Sequence, residues 1–443
     1  MKVLKFGGTS VGKPERMHAV AQLISGADQK LVVLSAVSGT TNALVGISDL
    51  LTKKDVAAAK EAIEKLFGPY DEFVEKLYTT AEGKAKGRGI IRQHNEFISA
   101  FTQESAFGDK HTRAILAEGE LISTQLFHAY LLEQGYNSVL LPALDFMRID
   151  ADDEPMLDYT EEKLGALIKA NKEAHLIITQ GYICLNPSDE VDNLKRGGSD
   201  YTASLVGAAI RAEEIQIWTD IDGMHNNDPR IVKRTFPIQE LTFDEAAELA
   251  YFGAKILHPS TILPAQKYSI PVKLLNTMQP EAKGTVIANK TTEKDIKAIA
   301  AKDAITVIKI KSTRMLLAHG FLRKVFEVFE KYKTSIDMIT TSEVAVSLTI
   351  DNPKHLDAIV AELKVFGTVE VEHDQTIICI VGQFVQENNQ IVRRVIDSLG
   401  EIPVRMISFG GSKNNISLLV KTKYKNAAME ELNEGLFFAE AVK

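Results

Sequence analysis

The stretch Lys195-Arg196-Gly197-Gly198-Ser199-Asp200 stands where a helix is predicted to begin, and an apolar strand ending in Ile217-Trp218-Thr219-Asp220 follows it. Two glycines allow a tight turn and a close approach to a ligand, and residues 201–212 have the composition of a helix. Helix N-termini attract anions. Because Asp220 and Asp228-Pro229-Arg230 come just after the strand, the segment indicates a ligand site at a sheet edge. A simple helix N-cap is the alternative.

Two earlier strand ends carry similar small and hydroxylated residues. Residues 2–6 predict a strand that runs into Gly7-Gly8-Thr9-Ser10-Val11-Gly12. Lys5 precedes the glycines, so this is neither the Walker nor the Rossmann pattern, and an ordinary turn with a solvated lysine explains the loop taken alone. The next strand ends at Ser35, and Thr41 lies close behind it. These two hydroxyls either cap a helix or contact substrate oxygens.

Apolar residues recur at helical spacing over residues 55–105 and predict two or three surface helices, separated by a solvated basic loop at residues 84–88. A long helix over residues 112–130 carries Glu118 and Glu120 in an otherwise apolar stretch. Buried carboxylates are costly unless they have a use, so Glu120 is a candidate anchor for an ammonium group. Lys255 follows another predicted helix and either reaches nucleotide phosphates or is a surface lysine.

Strands and helices alternate through residues 1–285 and predict a mainly parallel sheet covered by helices on both faces. Residues 286–303 have few large apolar side chains and are interpreted as a linker. An internal repeat follows, because the order of strands and helices in residues 304–375 begins again in residues 376–443. We therefore predict an α/β domain followed by two α+β modules.

The composition limits the classes of function. A net charge of -8 argues against a nucleic-acid-binding protein, whose footprint is a basic face. The two cysteines, Cys184 and Cys379, lie in apolar runs and suggest buried thiols. Apolar runs are too short to span a bilayer, and the first residues do not have the pattern of a signal peptide. The cytoplasm is the expected location.

Charged side chains at strand and helix ends suit phosphoryl transfer, in which positioning and charge neutralisation dominate. An acceptor that is itself a carboxylate, with a pKa near ~4, needs no general base. Four motifs then resemble the aspartate kinase family, and the resemblance extends over the whole chain in its monofunctional form. They are Lys5-Phe6-Gly7-Gly8-Thr9-Ser10-Val11, Gly119-Glu120-Leu121-x-Ser123, Arg196-Gly197-Gly198-Ser199-Asp200 and Trp218-Thr219-Asp220.

The resemblance implies an amino-acid-kinase fold, ATP with Mg²⁺ held largely through its phosphates, and phosphorylation of the side chain of L-aspartate. By the family pattern Lys5 neutralises the phosphoryl group, Arg196 pairs with a substrate carboxylate and Glu120 receives the substrate ammonium. The remaining aspartate pocket is Ser35, Thr41, Ser199 and Asp200, and the nucleotide positions are Lys5, Gly7, Gly8, Thr219, Asp220, Arg230 and Lys255. His225 stands where relatives often have a tyrosine beside the nucleotide.

The repeated modules resemble the paired ACT domains of that family, which are ferredoxin-like. In the first module the resemblance implies a lysine-sensing site, with Asp337 as partner of the effector ammonium, although Ala318 and His319 replace a more polar pair. Its members are Met315, Gly320, Phe321, Leu322, Asp337 and Ser342. Independently, a glycine before a helix offers free N–H groups to a carboxylate, and an acid on the facing strand suits an amine. A helix start with a solvated aspartate explains the same residues.

ACT pairing between chains implies a homodimer or a dimer of dimers. Two other functions stay open at this point. One is a kinase of another acidic amino acid such as glutamate or N-acetylglutamate. The other is a catalytically silent amino-acid sensor, against which Lys5, Arg196, Asp200 and Asp220 argue.

Overall fold

A computed structural model of the chain describes residues 1–194, 197–253, 259–291, 295–315, 319–384 and 389–439. The chain divides into two units. The first contains residues 1–224, 239–243 and 257–290, and the second contains residues 225–238, 244–256 and 291–443. Two short segments that lie within the predicted catalytic domain are therefore part of the second unit.

The first unit is built on one large sheet. The strands of this part of the chain are β1 Lys2–Phe6, β2 Lys30–Leu34, β3 Ser138–Leu140, β4 Leu176–Gln180, β5 Ile183–Leu185, β6 Val191–Asn193, β7 Ile215–Thr219, β8 Glu240–Thr242, β9 Val272–Asn276 and β10 Thr285–Ala288. Eight of them form a sheet in the order β3-β4-β2-β1-β7-β9-β10-β8, and β5 pairs separately with β6. Only the β9–β10 pairing in the eight-stranded sheet is antiparallel, which confirms the predicted mainly parallel fold.

Helices cover this sheet. They are α1 Pro14–Ile24, α2 Thr40–Thr52, α3 Val56–Phe67, α4 Tyr70–Leu77, α5 Ala81–Ala100, α6 Asp109–Glu133, α7 Leu157–Ala170, α8 Gly198–Ala209 and α10 Pro259–Lys267. Helix α9, Phe243–Tyr251, comes between α8 and α10 in the chain, but all of it except Phe243 belongs to the second unit. The predicted loop at residues 84–88 is wrong, because it lies inside α5. Lysine, alanine and arginine are good helix formers, and Gly87 lets the helix pack on Tyr78, whose ring would be 2.5 Å from an added Cβ. Among the described helices, none is long and apolar enough to cross a bilayer.

The second unit contains a six-stranded antiparallel sheet in the order β12-β13-β11-β14-β16-β15. Its strands are β11 Ile296–Lys311, β12 Ile339–Thr341, β13 Ala345–Ile350, β14 Thr368–Gly382, β15 Met406–Phe409 and β16 Asn415–Lys421. Its helices after α9 are α11 Phe321–Lys331, α12 Leu356–Leu363, α13 Asn389–Leu399 and α14 Lys425–Asn433. The order of elements in residues 305–372 recurs in residues 375–433, as the predicted repeat requires.

Two long central strands, β11 and β14, are shared between the repeated modules. A register shift between Lys302 and Ile305 divides their pairing. On one side of it Ile308 and Val325 belong to the first module's apolar core, and on the other Ile299 and Ile380 belong to the second module's core. Each module thus contains one half of β11 and one half of β14.

The predicted linker over residues 286–303 needs a correction. Most of β10 and the first half of β11 lie within it. The strand was hidden in the sequence because the buried residues Ala298 and Ala300 are small, so the segment lacks the bulky apolar pattern of a typical core strand.

Candidate active site

The loops that follow four neighbouring parallel strands meet at one edge of the large sheet. Gly7 follows β1, Ser35 follows β2, Gly181 follows β4 and Asp220 follows β7. Backbone hydrogen bonds join three of these loops to neighbouring strands. The Gly7 N–H donates to the Trp218 carbonyl (3.2 Å), that of Ser35 to the Phe6 carbonyl (3.1 Å) and that of Gly181 to the Leu34 carbonyl (2.9 Å). Ligands of open α/β sheets bind at this edge.

Lys5, near the end of β1, meets the first turn of α8. Its Nζ lies 2.7 Å from Oδ1 of Asp200, and the two side chains are 11% and 19% exposed. Helix α8 begins after Gly197, and both Gly197 and Gly198 have the left-handed backbone that glycine adopts at little cost (φ 66° and 49°). A cation and the free N–H groups of a helix start are therefore brought to the same place.

Close packing of α8 on the end of β4 depends on Gly181. A Cβ added at this position would lie 2.3 Å from the Cβ of Ser199, which is buried in the first turn of α8. The sequence analysis missed this contact. A glycine directly after a parallel strand was the signal for it.

Glu120 lies in the middle of α6 and is buried. Its Oε2 atom has no hydrogen-bond partner among the described residues. Burial raises the pKa of Glu120 to about 8, while backbone N–H groups, including that of Ala36, and the charge of Lys5 act in the opposite direction. Glu118, two residues earlier, is by contrast paired with His94. Of these two carboxylates, one is paired, and the other has no counter-ion in direct contact among the described residues.

Tyr182 is a site residue that the sequence analysis did not identify. It has a left-handed backbone (φ 68°), and its N–H donates to the Thr202 hydroxyl over 2.8 Å. Burial and the nearby charges of Glu120 and Asp192 raise the pKa of Tyr182 to about 12. The phenol is therefore neutral at physiological pH.

The predicted hydroxyl residues lie on the same loops and helix starts. Ser35 is half-buried, and its carbonyl accepts a hydrogen bond from the Ser123 hydroxyl (2.8 Å), which ties the loop after β2 to α6. Thr41 is half-buried in the first turn of α2. Thr219 ends β7 and donates its hydroxyl to the exposed carboxylate of Asp220 (3.2 Å).

Three predicted residues are not among the described residues of the first unit. Arg196 and Lys255 lie outside the described residues. Arg230 lies in a segment of the second unit, where it is exposed and its guanidinium pairs with Asp228 (2.7 Å). The roles assigned to these three residues stay predictions. Within the described chain, no three His, Cys, Asp or Glu side chains are grouped so that they could hold a metal ion.

The predicted effector residues lie in the first ACT-like module. Ala318, which was singled out beside them, lies outside the described residues. Gly320 precedes α11 with a left-handed backbone (φ 79°), while Met315, Phe321 and Leu322 pack in or against the module's apolar core. The Asp337 side chain is fully enclosed and accepts hydrogen bonds from Lys302 Nζ (2.9 Å) and the Tyr251 hydroxyl (2.7 Å). Ser342 is exposed beyond β12.

Comparison with known proteins identifies the class. Residues 1–276 match the amino acid kinase family, and residues 378–436 match an ACT domain. The chain belongs to the amino acid kinase family and, within it, to the aspartokinases.

Individual relatives support this assignment over almost the full chain. The chloroplastic aspartokinase 3 of Arabidopsis thaliana is 37% identical, with 98% of this chain and 81% of the relative covered. The lysine-sensitive aspartokinase 3 of Escherichia coli (strain K12) is 32% identical, with coverage of 98% and 99%. Two crystal structures of E. coli aspartokinase III, each 32% identical, cover 99% of this chain. One is the R-state complex with aspartate and ADP (TM-score 0.84, 100% of that chain covered). The other is the T-state complex with lysine and aspartate (TM-score 0.79, 99% of that chain covered).

Proposed function

We propose that this chain transfers the γ-phosphoryl group of ATP to the side-chain carboxylate of L-aspartate, giving 4-phospho-L-aspartate and ADP. This is the first step toward lysine, threonine and methionine. The observation that carries the proposal is the arrangement around Lys5, which pairs with Asp200 and whose charge lowers the pKa of Glu120, a buried acid with one carboxyl oxygen that has no hydrogen-bond partner among the described residues. The aspartate and ADP complex of the E. coli relative supports the choice of substrate.

The chemistry requires charge control more than proton transfer. The acceptor carboxylate, with an ordinary pKa of about 4, is ionised at neutral pH and attacks without a general base. A carboxylate oxygen forms the new P–O bond, and the bond to the β–γ bridging oxygen breaks, so that ADP leaves with the electron pair. Both reactants are anions. The Lys5 ammonium and the N–H groups at the start of α8 lower the cost of bringing them together.

The substrate ammonium is assigned to Glu120. A buried carboxyl oxygen without a partner is a costly feature that a bound ammonium would satisfy, with a charge-assisted hydrogen bond. Ser35, Thr41, Ser199 and Arg196 complete the proposed aspartate pocket. Thr219, Asp220, Arg230, Lys255 and the Gly7-Gly8 turn are proposed for the nucleotide.

Mg²⁺ is part of the proposal as the ion that neutralises the nucleotide phosphates. The carboxylates at this edge, Asp200 and Asp220, are oxygen donors of the type that Mg²⁺ takes. Few direct protein ligands suit an ion that is held mainly by phosphates.

Lysine is the proposed feedback inhibitor and acts through the first ACT module. The enclosed acid Asp337 and the left-handed glycine before α11 support it, as does the complex of the E. coli relative with lysine. We further propose a cytoplasmic enzyme that assembles as a homodimer or a dimer of dimers, which light scattering would measure.

A hydroxamate assay tests the reaction, because hydroxylamine traps the acyl phosphate. Purified protein with ATP, Mg²⁺ and L-aspartate is expected to form hydroxamate, and omission of ATP is expected to abolish it. Glutamate and N-acetylglutamate serve as alternative acceptors. Lack of product from folded protein with every acceptor would favour the silent sensor, and product from glutamate alone would reassign the substrate.

A further inference from the structure

The acid predicted to bind the effector is already engaged by side chains of the chain itself. Oδ1 of Asp337 accepts hydrogen bonds from Lys302 and from Tyr251, and Oδ2 is buried without a partner among the described residues. All three residues lie in the second unit. A free ammonium group that approaches this carboxylate therefore competes with Lys302 and Tyr251 for it.

Lys302 is held in the manner expected for a bound primary ammonium. Its Nζ lies 2.9 Å from Asp337, 2.8 Å from Asp351 and 4.1 Å from the centre of the Tyr251 ring. Two carboxylates and an aromatic face are a favourable setting for such a cation. Burial lowers the pKa of Lys302, but its bonds to Asp351 and Asp337 outweigh burial and raise it overall, so the group stays charged at neutral pH.

Tyr251 adds a second internal contact from α9. Burial and the bond to Asp337 raise the pKa of Tyr251 to about 12, which keeps the hydroxyl protonated and able to donate. Tyr251 precedes Lys255 by only four residues in the sequence.

Room for a ligand exists beside these contacts. A cavity of about 330 Å³ reaches Asp337 and Tyr251. Its other polar lining residues are Glu248, Ser408, Ser412, Asn415 and Ser417. A displaced side chain or an incoming amino acid meets there a polar network in which Asn415 donates to Glu248 (2.8 Å) and accepts a hydrogen bond from the Ser417 hydroxyl (2.8 Å).

We propose that Lys302 and Tyr251 are a built-in occupant of the ammonium site on Asp337 and thereby set the affinity for the lysine effector. This inference rests on the proposed lysine control. A tethered competitor acts at high effective concentration, and it lowers the apparent affinity by the fraction of time it occupies the site. The effector gains the Asp337 carboxylate only by moving Lys302 and Tyr251 aside.

The second module has a different residue at the position that Asp337 occupies in the first module. Arg405 takes the place of Asp337 in the repeat, since its N–H donates to the Leu419 carbonyl (2.7 Å) as that of Asp337 does to the Thr349 carbonyl (2.9 Å). The Arg405 guanidinium pairs with Glu372 (2.8 Å). The residue in the Asp337 position is thus a cation in the second module, and the carboxylate of the pair comes from β14.

Calorimetric titration of lysine into the full chain tests the proposal. Lys302→Met removes the tethered ammonium and is expected to bind lysine about tenfold tighter or more. Lys302→Arg keeps a cation and is expected to stay near the parent affinity. Lys309→Met is the matched control, because Lys309 lies on the same strand and pairs with Glu370 instead.

Tyr251→Phe is the second variant, in case loss of Lys302 harms folding. It removes one neutral donor, and a two- to tenfold gain in lysine affinity is expected, about the contribution of one hydrogen bond. Unchanged or weaker binding in both Lys302→Met and Tyr251→Phe, or no lysine binding in any variant, would overturn the proposal. The hydroxamate assay reports on the kinase separately: product formation without a gain in affinity rejects the built-in competitor alone.

Discussion

Two lysine–aspartate pairs, one in each unit, have nearly the same geometry and different surroundings. Lys5 lies 2.7 Å from Asp200, and Lys302 lies 2.9 Å from Asp337. The first pair stands at the carboxyl edge of a parallel sheet with both side chains partly exposed. In the second pair, which belongs to an antiparallel sheet, the carboxylate is fully enclosed and receives a further hydrogen bond from Tyr251.

The neighbours of each pair decide its use. Among the described residues, Lys5 has one carboxylate in direct contact, and it lies at the edge where phosphates are proposed to bind, so its charge is proposed to serve the substrate. Lys302 is shared between Asp337 and Asp351, which satisfies it without a ligand. The same two residue types are thus proposed to give a cation for substrate phosphates in one unit and an internal occupant of the effector site in the other.

Removal of the first lysine is expected to have the largest effect. Lys5→Met should lower kcat/KM for aspartate about 10³-fold or more, because a cation on the transferring phosphoryl group is lost. Steady-state hydroxamate kinetics measure it. Lys2→Met, on the same strand but pointing to Glu214, is the control and should leave the rate unchanged. A Lys5→Met enzyme of normal rate would remove the distinction between the two pairs.

Glu120→Gln is expected to raise the KM for aspartate about 10- to 100-fold, the contribution of a charge-assisted hydrogen bond. Since the pKa of Glu120 is raised to about 8, its carboxyl is protonated at pH 7 and must lose the proton to receive an ammonium. Aspartate binding at pH 7 should therefore release a proton and strengthen as the pH rises toward 8. Titrations in buffers of different ionisation heat measure the release.

The raised pKa of Glu120 also makes the stability of the folded protein depend on pH. The unfolded chain loses the Glu120 proton near its ordinary value of 4.5, whereas the folded protein keeps it to about 8. Stability of the ligand-free protein should thus fall as the pH rises through this range, and Glu120→Gln should reduce that dependence. Glu118→Gln, next to His94, is the control for proton release. Equal proton release by the parent protein and Glu120→Gln would contradict the ammonium assignment.

Asp337→Asn tests the enclosed pair and is expected to raise the lysine concentration for half-inhibition about tenfold or more. The neutral amide no longer attracts the effector ammonium. Inhibition curves with lysine, threonine and methionine measure the change and its selectivity. Equal inhibition of the parent protein and this variant would place the effector elsewhere.

Arg405→Met, in the second module, is expected to have the smallest effect. The Arg405–Glu372 pair is about one-third exposed, so its loss should cost about 1 kcal/mol or less and lower Tm by a few degrees at most. Lysine inhibition should not change. Thermal melting and inhibition curves check both points, and a loss of inhibition comparable to that of Asp337→Asn would show that both modules take part.

Much of the architecture was predictable because it depends on local patterns. Apolar periodicity located most strands and helices, and hydroxyl and glycine residues marked the strand ends that meet at the site. The predictions were wrong where tertiary packing, and not the local sequence pattern, determined the secondary structure. Gly87 looked like a break because its contact with Tyr78 was not visible, and small buried alanines concealed the first half of β11.

The residues themselves determined the motif order, the parallel class of the first sheet and the repeat of the second. These follow from the spacing of neighbours along the chain, since side-chain direction repeats with the helix or strand period. Tertiary structure alone decided that Lys5 meets Asp200, and that Asp337 meets Lys302 and Tyr251, which are 35 and 86 positions away in the chain. Ion pairs and hydrogen bonds depend on distance in space, and only the folded backbone sets that distance.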